Sequence, residues 1–251
     1  PEYDSVHHPN GYICVSIAEN KSNWRLLEPY LSHRPGMGVV QTGYNNFNGM
    51  TYVRDAVSSF FSRYIAGRAI QPESILMTAG ANLAIDSLFW TIANPGEYCL
   101  LAKPYYAAFQ WDLGLKSGVL IHEVETDVEH NFKFDLNAYK TALKTARAEG
   151  KVVRAVLICN PHNPLGTILS RQELESLVEW VKSEPGLHLV SDEIYALSVF
   201  KHMQPSNSTT DSVSSPASSP SLDSASAISS PAKSPFVSLA NVLPSLGERF
   251  H

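Results

Sequence analysis

A mostly apolar, β-branched run at 152–159 lies between two segments of helical pattern and constrains the fold more than any other feature. A strand that is apolar on both faces is typical of the centre of a parallel sheet. Four shorter apolar runs alternate with helical patterns in the same part of the chain, at 75–78, 98–102, 119–124 and 187–191. Strands that alternate with helices predict right-handed crossovers, so we expect an α/β fold with three layers, α/β/α, around a mostly parallel sheet.

The helical patterns carry clear end signals. At 51–66 apolar residues recur with helical spacing, and Gly67 follows as a C-terminal signal. Ser170 and Glu173 predict a capping box that opens a helix reaching Val181. Further helices are predicted at 81–91, after Pro104, at 136–149 and at 236–243.

Composition and charge disfavour several classes of protein. The hydrophobic fraction is 44%, the charged fraction is 17% and the formal net charge is −5, which argues against a nucleic-acid or anionic-membrane surface. No run of about 18 apolar residues and no signal-peptide pattern is present. Three widely spaced cysteines without a CxxC pair favour a reducing compartment. We therefore expect a cytoplasmic α/β enzyme with no metal site and no nucleic-acid or membrane partner.

Residues 204–235 interrupt this pattern with a Ser/Pro-rich segment. These 32 residues contain 13 Ser and 5 Pro and no aromatic residue. Such a segment buries too little apolar area to offset its ordering entropy, so we expect a disordered insertion. Two interpretations stay open, a phosphorylated regulatory loop and a tolerated insertion, and the second needs fewer assumptions.

Four predicted strand ends carry unusual polar or aromatic residues, where an open parallel sheet binds its ligands. The four segments are 78–82, 103–106, 159–167 and 191–195. The first exposes N–H groups at a helix N-terminus, which suits a phosphate, although a turn glycine there is more often structural. In the second segment, Tyr105 and Tyr106 either pack beneath a loop or offer a ring for stacking.

The third and fourth segments are more specific. Two Asn-Pro steps between 160 and 164 prevent a helix and hold the chain, so that the Asn163 amide can point at a ligand. A buried Asp192 carboxylate is costly unless it meets a cation or hydrogen-bond donors. It therefore caps a helix, forms an ion pair at the surface or holds a protonated ring nitrogen of a ligand. Tyr195 is close enough in sequence to reach the same ligand. A phosphate site, a stacking ring, an amide donor and a carboxylate together meet the needs of pyridoxal 5′-phosphate.

The sequence resembles the fold-type-I, class I/II aminotransferase superfamily in NPHNPLGT (160–167) and SDEIYALSVF (191–200). Within that superfamily it is most similar to 1-aminocyclopropane-1-carboxylate (ACC) synthase-like proteins, in SIAENK (16–21), NNFNGMTYVRDAVSSF (45–60) and KPYYAAFQWDL (103–113). The resemblance implies a homodimeric, pyridoxal-phosphate-dependent lyase or transferase. It also implies Cα-proton abstraction and quinonoid chemistry on an α-amino acid.

The resemblance implies a role for each matched residue around the cofactor ring. Tyr106 stacks on the pyridine, Asp192 pairs with N1, and Asn163 and Tyr195 bond O3′. Asn163 also contacts the substrate, and Tyr195 is one of the implied catalytic residues.

The resemblance also implies contacts with the phosphate and the substrate. Ala81 and Asn82 contact the phosphate, and the N-terminal loop of Ala18, Glu19 and Asn20 lies near the substrate, with Glu19 as a catalytic residue. Because ACC synthases tend to have threonine at the position of Asn82, this departure weakens the implication of true ACC synthase activity.

A further cofactor contact implied by the resemblance comes from a tyrosine that crosses the dimer interface to the neighbouring phosphate. General aminotransferase spacing assigns this role to Tyr44, whereas ACC-synthase spacing assigns it to Phe47, which has no hydroxyl. We favour Tyr44.

The lysine motif that this family uses to bind its cofactor is missing from the sequence. In the family a lysine in a Ser-Leu-Ser-Lys-like motif forms the Schiff base and acts as general base, and that motif is expected shortly after 236–243. The sequence ends at His251, and none of its ten lysines has this context. We expect a fragment without the C-terminal small domain; the alternative is an inactive homologue that lacks the lysine.

The resulting organisation has four parts: an N-terminal arm and substrate-side loop (1–50), a pyridoxal-phosphate-binding large domain (51–203), the insertion (204–235) and a truncated continuation of the large domain (236–251). Three reactions stay open for the parent enzyme: elimination from S-adenosylmethionine, β-elimination from a cysteine conjugate, and transamination. A dinucleotide-binding oxidoreductase is rejected because no GxGxxG pattern is present.

Overall fold

The computed structural model describes residues 1–13, 22–33, 38–199 and 236–243. The chain divides into two units, 1–45 and 46–251. In the first unit two helices are described, α1 (Trp24–Ser32) and α2 (Val39–Thr42). The insertion predicted at 204–235 lies outside the described residues.

A four-stranded parallel sheet forms the centre of the second unit. Its strands are β1 (Tyr98–Ala102), β2 (Leu120–Val124), β3 (Val153–Cys159) and β4 (His188–Asp192), in the spatial order β2-β1-β3-β4. The predicted parallel α/β sheet is therefore confirmed. The 152–159 run forms β3, an interior strand in which the side chains from Ala155 to Leu157 are fully buried, because helices cover both of its faces.

Helices pack on both faces of this sheet. α3 (Thr51–Phe61) contacts the two turns that follow it along the chain, Ser62–Ala66 and Pro72–Ser74. The helices that pack on the sheet are α4 (Ala81–Ile92), α5 (Phe109–Gly114), α6 (Leu136–Ala148), α7 (Arg171–Ser183) and α8 (Leu239–Val242). One apolar cluster joins α4 and α5 to the sheet, and a second joins α6, α7 and α8 to the opposite face. None of the helices in the described ranges is long and apolar enough to cross a membrane.

The predicted helix-end signals are present. The Ser170 hydroxyl accepts the Glu173 N–H at 3.2 Å, and the Glu173 carboxylate accepts the Ser170 N–H at 2.7 Å, which forms the predicted capping box. A π-helical turn (Ser62–Ala66) continues α3, and Gly67 follows it with φ +63°, a left-handed conformation that favours glycine.

The strand predicted at 75–78 is wrong. These residues are not part of a strand: the Met77 N–H donates to the Asn48 carbonyl at 3.1 Å, and the other two backbone hydrogen bonds are local, from the Ile75 N–H to the Pro72 carbonyl and from the Gly80 N–H to the Thr78 carbonyl. Leu76 is 61% exposed. An apolar run becomes a strand only beside a partner, and the sheet order β2-β1-β3-β4 gives this segment none among the described residues.

An ion pair joins the start of β1 to the start of β3. Arg154 donates from Nε and Nη2 to the two carboxylate oxygens of Glu97, each at 2.8 Å, and Glu97 also accepts the Asn94 N–H at 2.8 Å. The Arg154 guanidinium lowers the pKa of Glu97 from 4.5 to about 2. Two parallel bonds in one plane make this the strong form of an arginine–carboxylate pair.

This ion pair predicts an acid-sensitive contribution to stability. Because the folded-state pKa of Glu97 lies below its unfolded value, its contribution is fully present above about pH 4.5 and is lost as the pH falls towards 2. We expect Glu97→Gln to lower the free energy of unfolding at pH 7, and the difference from the native chain to shrink at pH 3. Urea unfolding at both pH values checks this, and an equal difference at both would contradict it.

Candidate functional site

The carboxyl ends of β3 and β4 bring two of the predicted site residues together. Cys159 pairs in register with Asp192, and the Asn160 N–H extends this ladder by donating to the Asp192 carbonyl at 2.9 Å. Beyond these strand ends, Asn163 Nδ2 lies 3.3 Å from the Tyr195 hydroxyl, across 32 residues of sequence. An amide and a phenol thus form a polar pair at the edge of the sheet.

Asp192 supplies a carboxylate beside this pair. Its side chain is partly buried, and Oδ1 accepts the Ile194 N–H at 3.1 Å. Burial raises the pKa of Asp192, and among the described residues no basic side chain forms an ion pair with it. A partly buried carboxylate without a cation stabilises any protonated group that a ligand brings to it.

The structure distinguishes the two adjacent tyrosines. The Tyr105 hydroxyl donates to Glu123 Oε1 at 3.0 Å and accepts from Gln110 Nε2 at 3.2 Å, so this residue is held in place. Tyr106 is 47% exposed, and its ring meets Phe109 edge to face at 5.6 Å between centroids. Tyr106 therefore keeps a ring face free of these contacts, and Tyr105 has the packing role.

The first turn of α4 precedes the part of that helix that packs against the sheet. Gly80 precedes the helix with φ +90°, and a Cβ there would lie 3.3 Å from Asn82 Oδ1, so the turn favours glycine. The N–H groups of Ala81 and Asn82 have no intrahelical acceptor, as at every helix start. Ile85, one turn further, is in the same apolar cluster against which Tyr195 packs. The open N–H groups and the Asn163–Tyr195 pair thus flank one apolar cluster.

A cavity of about 380 Å³ adjoins this group of residues at the ends of β1 and β3. Its polar and aromatic lining includes Lys103, Tyr105, Thr126, Phe134, His162 and Asn163. Burial lowers the pKa of His162 and so favours its neutral imidazole. Of the implied site residues that the structure describes, only Asn163 lines the cavity; Tyr106, Asp192 and Tyr195 do not.

Lys103 is the lysine nearest in sequence to the implied stacking tyrosine. Its Nζ lies 2.7 Å from Glu125 and 3.1 Å from Glu123, and these carboxylates raise the pKa of Lys103. A protonated amine held between two carboxylates is a poor nucleophile. The geometry therefore disfavours Lys103 as an imine-forming residue.

The contacts described above do not include every implied residue. Tyr44 lies in the first unit with a fully exposed side chain, and Phe47 is 94% exposed. The substrate-side loop of Ala18, Glu19 and Asn20 lies outside the described residues.

Two polar residues beside the site were not singled out from the sequence. Asn160 is fully buried, and Glu193 is partly buried next to Asp192. The doubled Asn-Pro step and the acidic pair at 192–193 were the available signals. Neither signal shows which residues Asn160 and Glu193 bond to, because both bond to the segment 236–243, far along the chain.

Comparison with known proteins identifies the family. A family model described as aminotransferase class I and II matches residues 33–222. The chain belongs to this family. Class I and II aminotransferases and ACC synthases are pyridoxal 5′-phosphate enzymes, so both the predicted superfamily and the predicted cofactor are confirmed.

Among curated relatives, ACC synthases are prominent. 1-Aminocyclopropane-1-carboxylate synthase 5 of Oryza sativa subsp. japonica is 37% identical over 211 residues, which cover 79% of this chain and 39% of that enzyme. Synthase 7 of Arabidopsis thaliana is 35% identical over 210 residues, covering 79% and 47%. The predicted similarity to ACC synthases is confirmed, and the chain spans less than half the length of these relatives.

Solved structures of aminotransferases share the fold. An aromatic aminotransferase from Pyrococcus horikoshii superposes with a TM-score of 0.60 at 20% identity, covering 83% of this chain and 45% of that one. Aspartate aminotransferase from Thermus thermophilus, solved with maleate, gives a TM-score of 0.55 at 27% identity, covering 63% and 39%. The parallel sheet and its flanking helices therefore correspond to part of the aminotransferase fold.

The described residues of this family member fit the cofactor. A cationic pyridinium nitrogen needs a carboxylate, and Asp192 is partly buried with no basic partner among the described residues. A phenolate oxygen needs donors, and the Asn163 amide and the Tyr195 hydroxyl lie together. A planar ring needs an exposed face, which Tyr106 has. Each of these polar groups thus has a chemical counterpart on pyridoxal 5′-phosphate.

Proposed function

We propose that this chain forms the cofactor-binding part of a pyridoxal-phosphate-dependent enzyme of the ACC-synthase-like type that acts on an α-amino acid. One observation carries the proposal: the partly buried Asp192 carboxylate, unpaired among the described residues, at a strand end beside the Asn163–Tyr195 pair. Similarity to ACC synthases at 35–37% identity supports the choice of subfamily.

The cofactor, when bound, supplies an electron sink for negative charge at the Cα of the substrate. Asp192 holds a proton on the pyridine nitrogen, because a carboxylate in a partly buried position stabilises a cation more than water does. Asn163 and Tyr195 donate hydrogen bonds to the ring oxygen, and the Tyr106 ring orients the pyridine by stacking on its face. Their common task is to keep the ring electron-poor and fixed in place.

Further contacts follow from the family resemblance. The N–H groups of Ala81 and Asn82 bind the phosphate, since a helix N-terminus favours an anion. In a homodimer Tyr44 of one subunit contacts the phosphate in the other. On the substrate side, Ala18 and Glu19 contact the amino acid, with Glu19 acting in catalysis.

The reaction itself has three candidates. Elimination from S-adenosylmethionine is favoured by the ACC synthase relatives and by the Glu19 motif. β-Elimination from a cysteine conjugate and plain transamination use the same cofactor contacts. Incubation of the full-length protein with each substrate class separates them by product: a cyclopropane amino acid, a thiol together with a keto acid and ammonia, or a keto acid without thiol or ammonia.

A stacking variant tests the cofactor site directly. We expect Tyr106→Ala to weaken binding of 4′-deoxypyridoxine 5′-phosphate about fivefold, since stacking on an aromatic ring contributes about 1 kcal/mol. This analogue has no aldehyde, so its binding is non-covalent. Fluorescence titration of the whole chain measures it. Trp111→Ala is the matched control, because Trp111 is 63% exposed on α5 and lies outside the site.

Two outcomes would contradict the proposed function. One is that the native chain does not bind the analogue, and the other is that both aromatic variants lose affinity equally. A second candidate function is non-catalytic: the chain would hold the cofactor without forming an imine. Borohydride reduction after addition of pyridoxal 5′-phosphate distinguishes this function from the enzymatic one. Peptide mapping then shows whether a single lysine carries the reduced cofactor, and we expect Lys103 to remain unlabelled.

A further inference from the structure

Residues 236–243 return to the sheet beside the candidate site, and a glutamate of that site holds them there. Glu193 Oε1 accepts the Leu239 N–H at 2.7 Å and the Ser191 hydroxyl at 3.1 Å. Leu239 lies 46 residues further along the chain. The carboxylate thus joins the turn after β4 to the start of α8.

A buried asparagine holds the same segment from the neighbouring strand end. Asn160 Nδ2 donates to the Val237 carbonyl at 3.4 Å, while its Oδ1 accepts the Leu169 N–H at 3.0 Å. The side chain is fully buried at the end of β3. Its amide therefore links both ends of the 160–169 loop to the segment that follows residue 235.

These two contacts lie next to the residues implied in cofactor binding. Asn160 comes three residues before Asn163, and Glu193 directly follows Asp192. Asn160 bonds to Val237 and Glu193 bonds to Leu239. Ser238, which lies between them in sequence, is only 2% exposed, and its side chain also hydrogen-bonds to Glu193. One short segment is thus bonded to both loops that carry the polar site residues.

Burial makes these bonds costly to lose. Leu239 and Leu243 are 3% and 2% exposed within the apolar cluster under α7, so water does not readily replace a missing protein partner. Burial raises the pKa of Glu193, and the Leu239 N–H and the Ser238 and Ser191 hydroxyls act against that rise. A donor or acceptor left unpaired in such surroundings costs more than an ordinary hydrogen bond contributes.

We propose that Asn160 and Glu193 are positioning residues of the cofactor site. By bonding residues 237–239, they fix the loop of Asn163 and the turn of Asp192 relative to each other. The assignment rests on the proposed function, in which Asn163 and Asp192 hold the two sides of one pyridine ring. A ring spanning both loops is bound tightly only if the loops keep one relative position.

A purely structural role is the competing explanation, and Asn241 provides the control for it. Asn241 Nδ2 donates to the Ala66 carbonyl at 2.7 Å, and its Oδ1 accepts from Arg171. These bonds hold α8 to other parts of the fold without touching either site loop. Asn241→Ala therefore loosens the same segment and leaves the Asn160 and Glu193 contacts in place.

The test compares Glu193→Ala, Glu193→Gln and Asn241→Ala in the whole chain. Binding of 4′-deoxypyridoxine 5′-phosphate is titrated by fluorescence, and backbone hydrogen exchange is followed in peptides 160–169, 191–199 and 236–243. We expect Glu193→Ala to weaken binding at least tenfold and to speed exchange at 191–199 and 236–243. Glu193→Gln keeps an acceptor oxygen and should restore most of the affinity. Asn241→Ala should speed exchange at 236–243 alone, with native affinity.

Two results would overturn the proposal. One is native affinity in Glu193→Ala, and the other is an equal loss of affinity in Glu193→Ala and Asn241→Ala, which would indicate a general loss of stability. If the native chain binds no analogue, the proposed function fails. The hydrogen-exchange data then still test the contact between Glu193 and residues 237–239. Exchange at 191–199 that is faster in Glu193→Ala but not in Asn241→Ala supports the contact, and unchanged exchange at 191–199 in Glu193→Ala refutes it.

Discussion

Asp192→Asn is expected to weaken binding of 4′-deoxypyridoxine 5′-phosphate about a hundredfold while leaving the chain folded. The substitution keeps the volume of the side chain and the oxygen that accepts the Ile194 N–H, but it removes the negative charge. A hydrogen bond between charged groups contributes about 1.5–3 kcal/mol, or roughly a 10- to 150-fold change in affinity. The loss should exceed that of any other single polar substitution in the site.

The same substitution should not destabilise the chain. Burial raises the pKa of Asp192, which means that the folded state disfavours its charge when no ligand is bound. A neutral amide removes that cost, so the free energy of unfolding measured in urea should stay the same or rise. Reduced affinity together with unreduced stability indicates a residue selected for binding, whereas parallel losses would indicate a structural one.

A control and a pH series complete this prediction. Asp55→Asn on the exposed side of α3 changes the net charge equally and should leave affinity unchanged. In the native chain, affinity should fall as the pH drops through the raised pKa of Asp192, because a protonated carboxyl no longer stabilises a pyridinium. Asp192→Asn should lack that dependence. Equal pH profiles in the two chains would contradict the assigned role.

The fold could be predicted where local pattern and tertiary context agree. The run at 152–159 is apolar on both faces and forms an interior strand, and Ser170 with Glu173 forms the expected capping box. The run at 75–78 has the same local character, yet it forms no strand, because pairing depends on a neighbouring strand that the local sequence cannot reveal. Periodicity identifies a segment that can pair, and the rest of the chain decides whether it does.

As with the fold, the sequence predicted only part of the candidate site. Motif resemblance selected Asn163 and Tyr195, which the structure brings to 3.3 Å. Composition alone could not distinguish Tyr105 from Tyr106, since the difference lies in the bond from the Tyr105 hydroxyl to Glu123. The contact of Glu193 with residues 237–239 was beyond prediction, because the bonded groups are 46 residues apart and the Ser/Pro-rich segment separates them.

Phe89→Ala is expected to have the largest effect on stability, a loss of about 3–5 kcal/mol in the free energy of unfolding. Phe89 is fully buried on the inner face of α4, in the cluster that includes Leu101, Phe109 and Val190. Removing the ring leaves a cavity between the helix and the sheet, which the surrounding side chains fill only in part. Urea unfolding monitored by circular dichroism measures the loss.

The next residue supplies the control. Trp90 is 57% exposed, and its ring meets the Lys116 ammonium at 5.5 Å, so Trp90→Ala should cost no more than about 1 kcal/mol. Phe89 also lies in the cluster against which Tyr105 and Tyr195 pack, and the first turn of α4 carries the proposed phosphate contacts. A shift of α4 should therefore reduce affinity for the phosphate-bearing analogue as well as stability. If Phe89→Ala proved as mild as Trp90→Ala, α4 would not be packed as described, and the assignment of Ala81 and Asn82 to the phosphate would lose its structural basis.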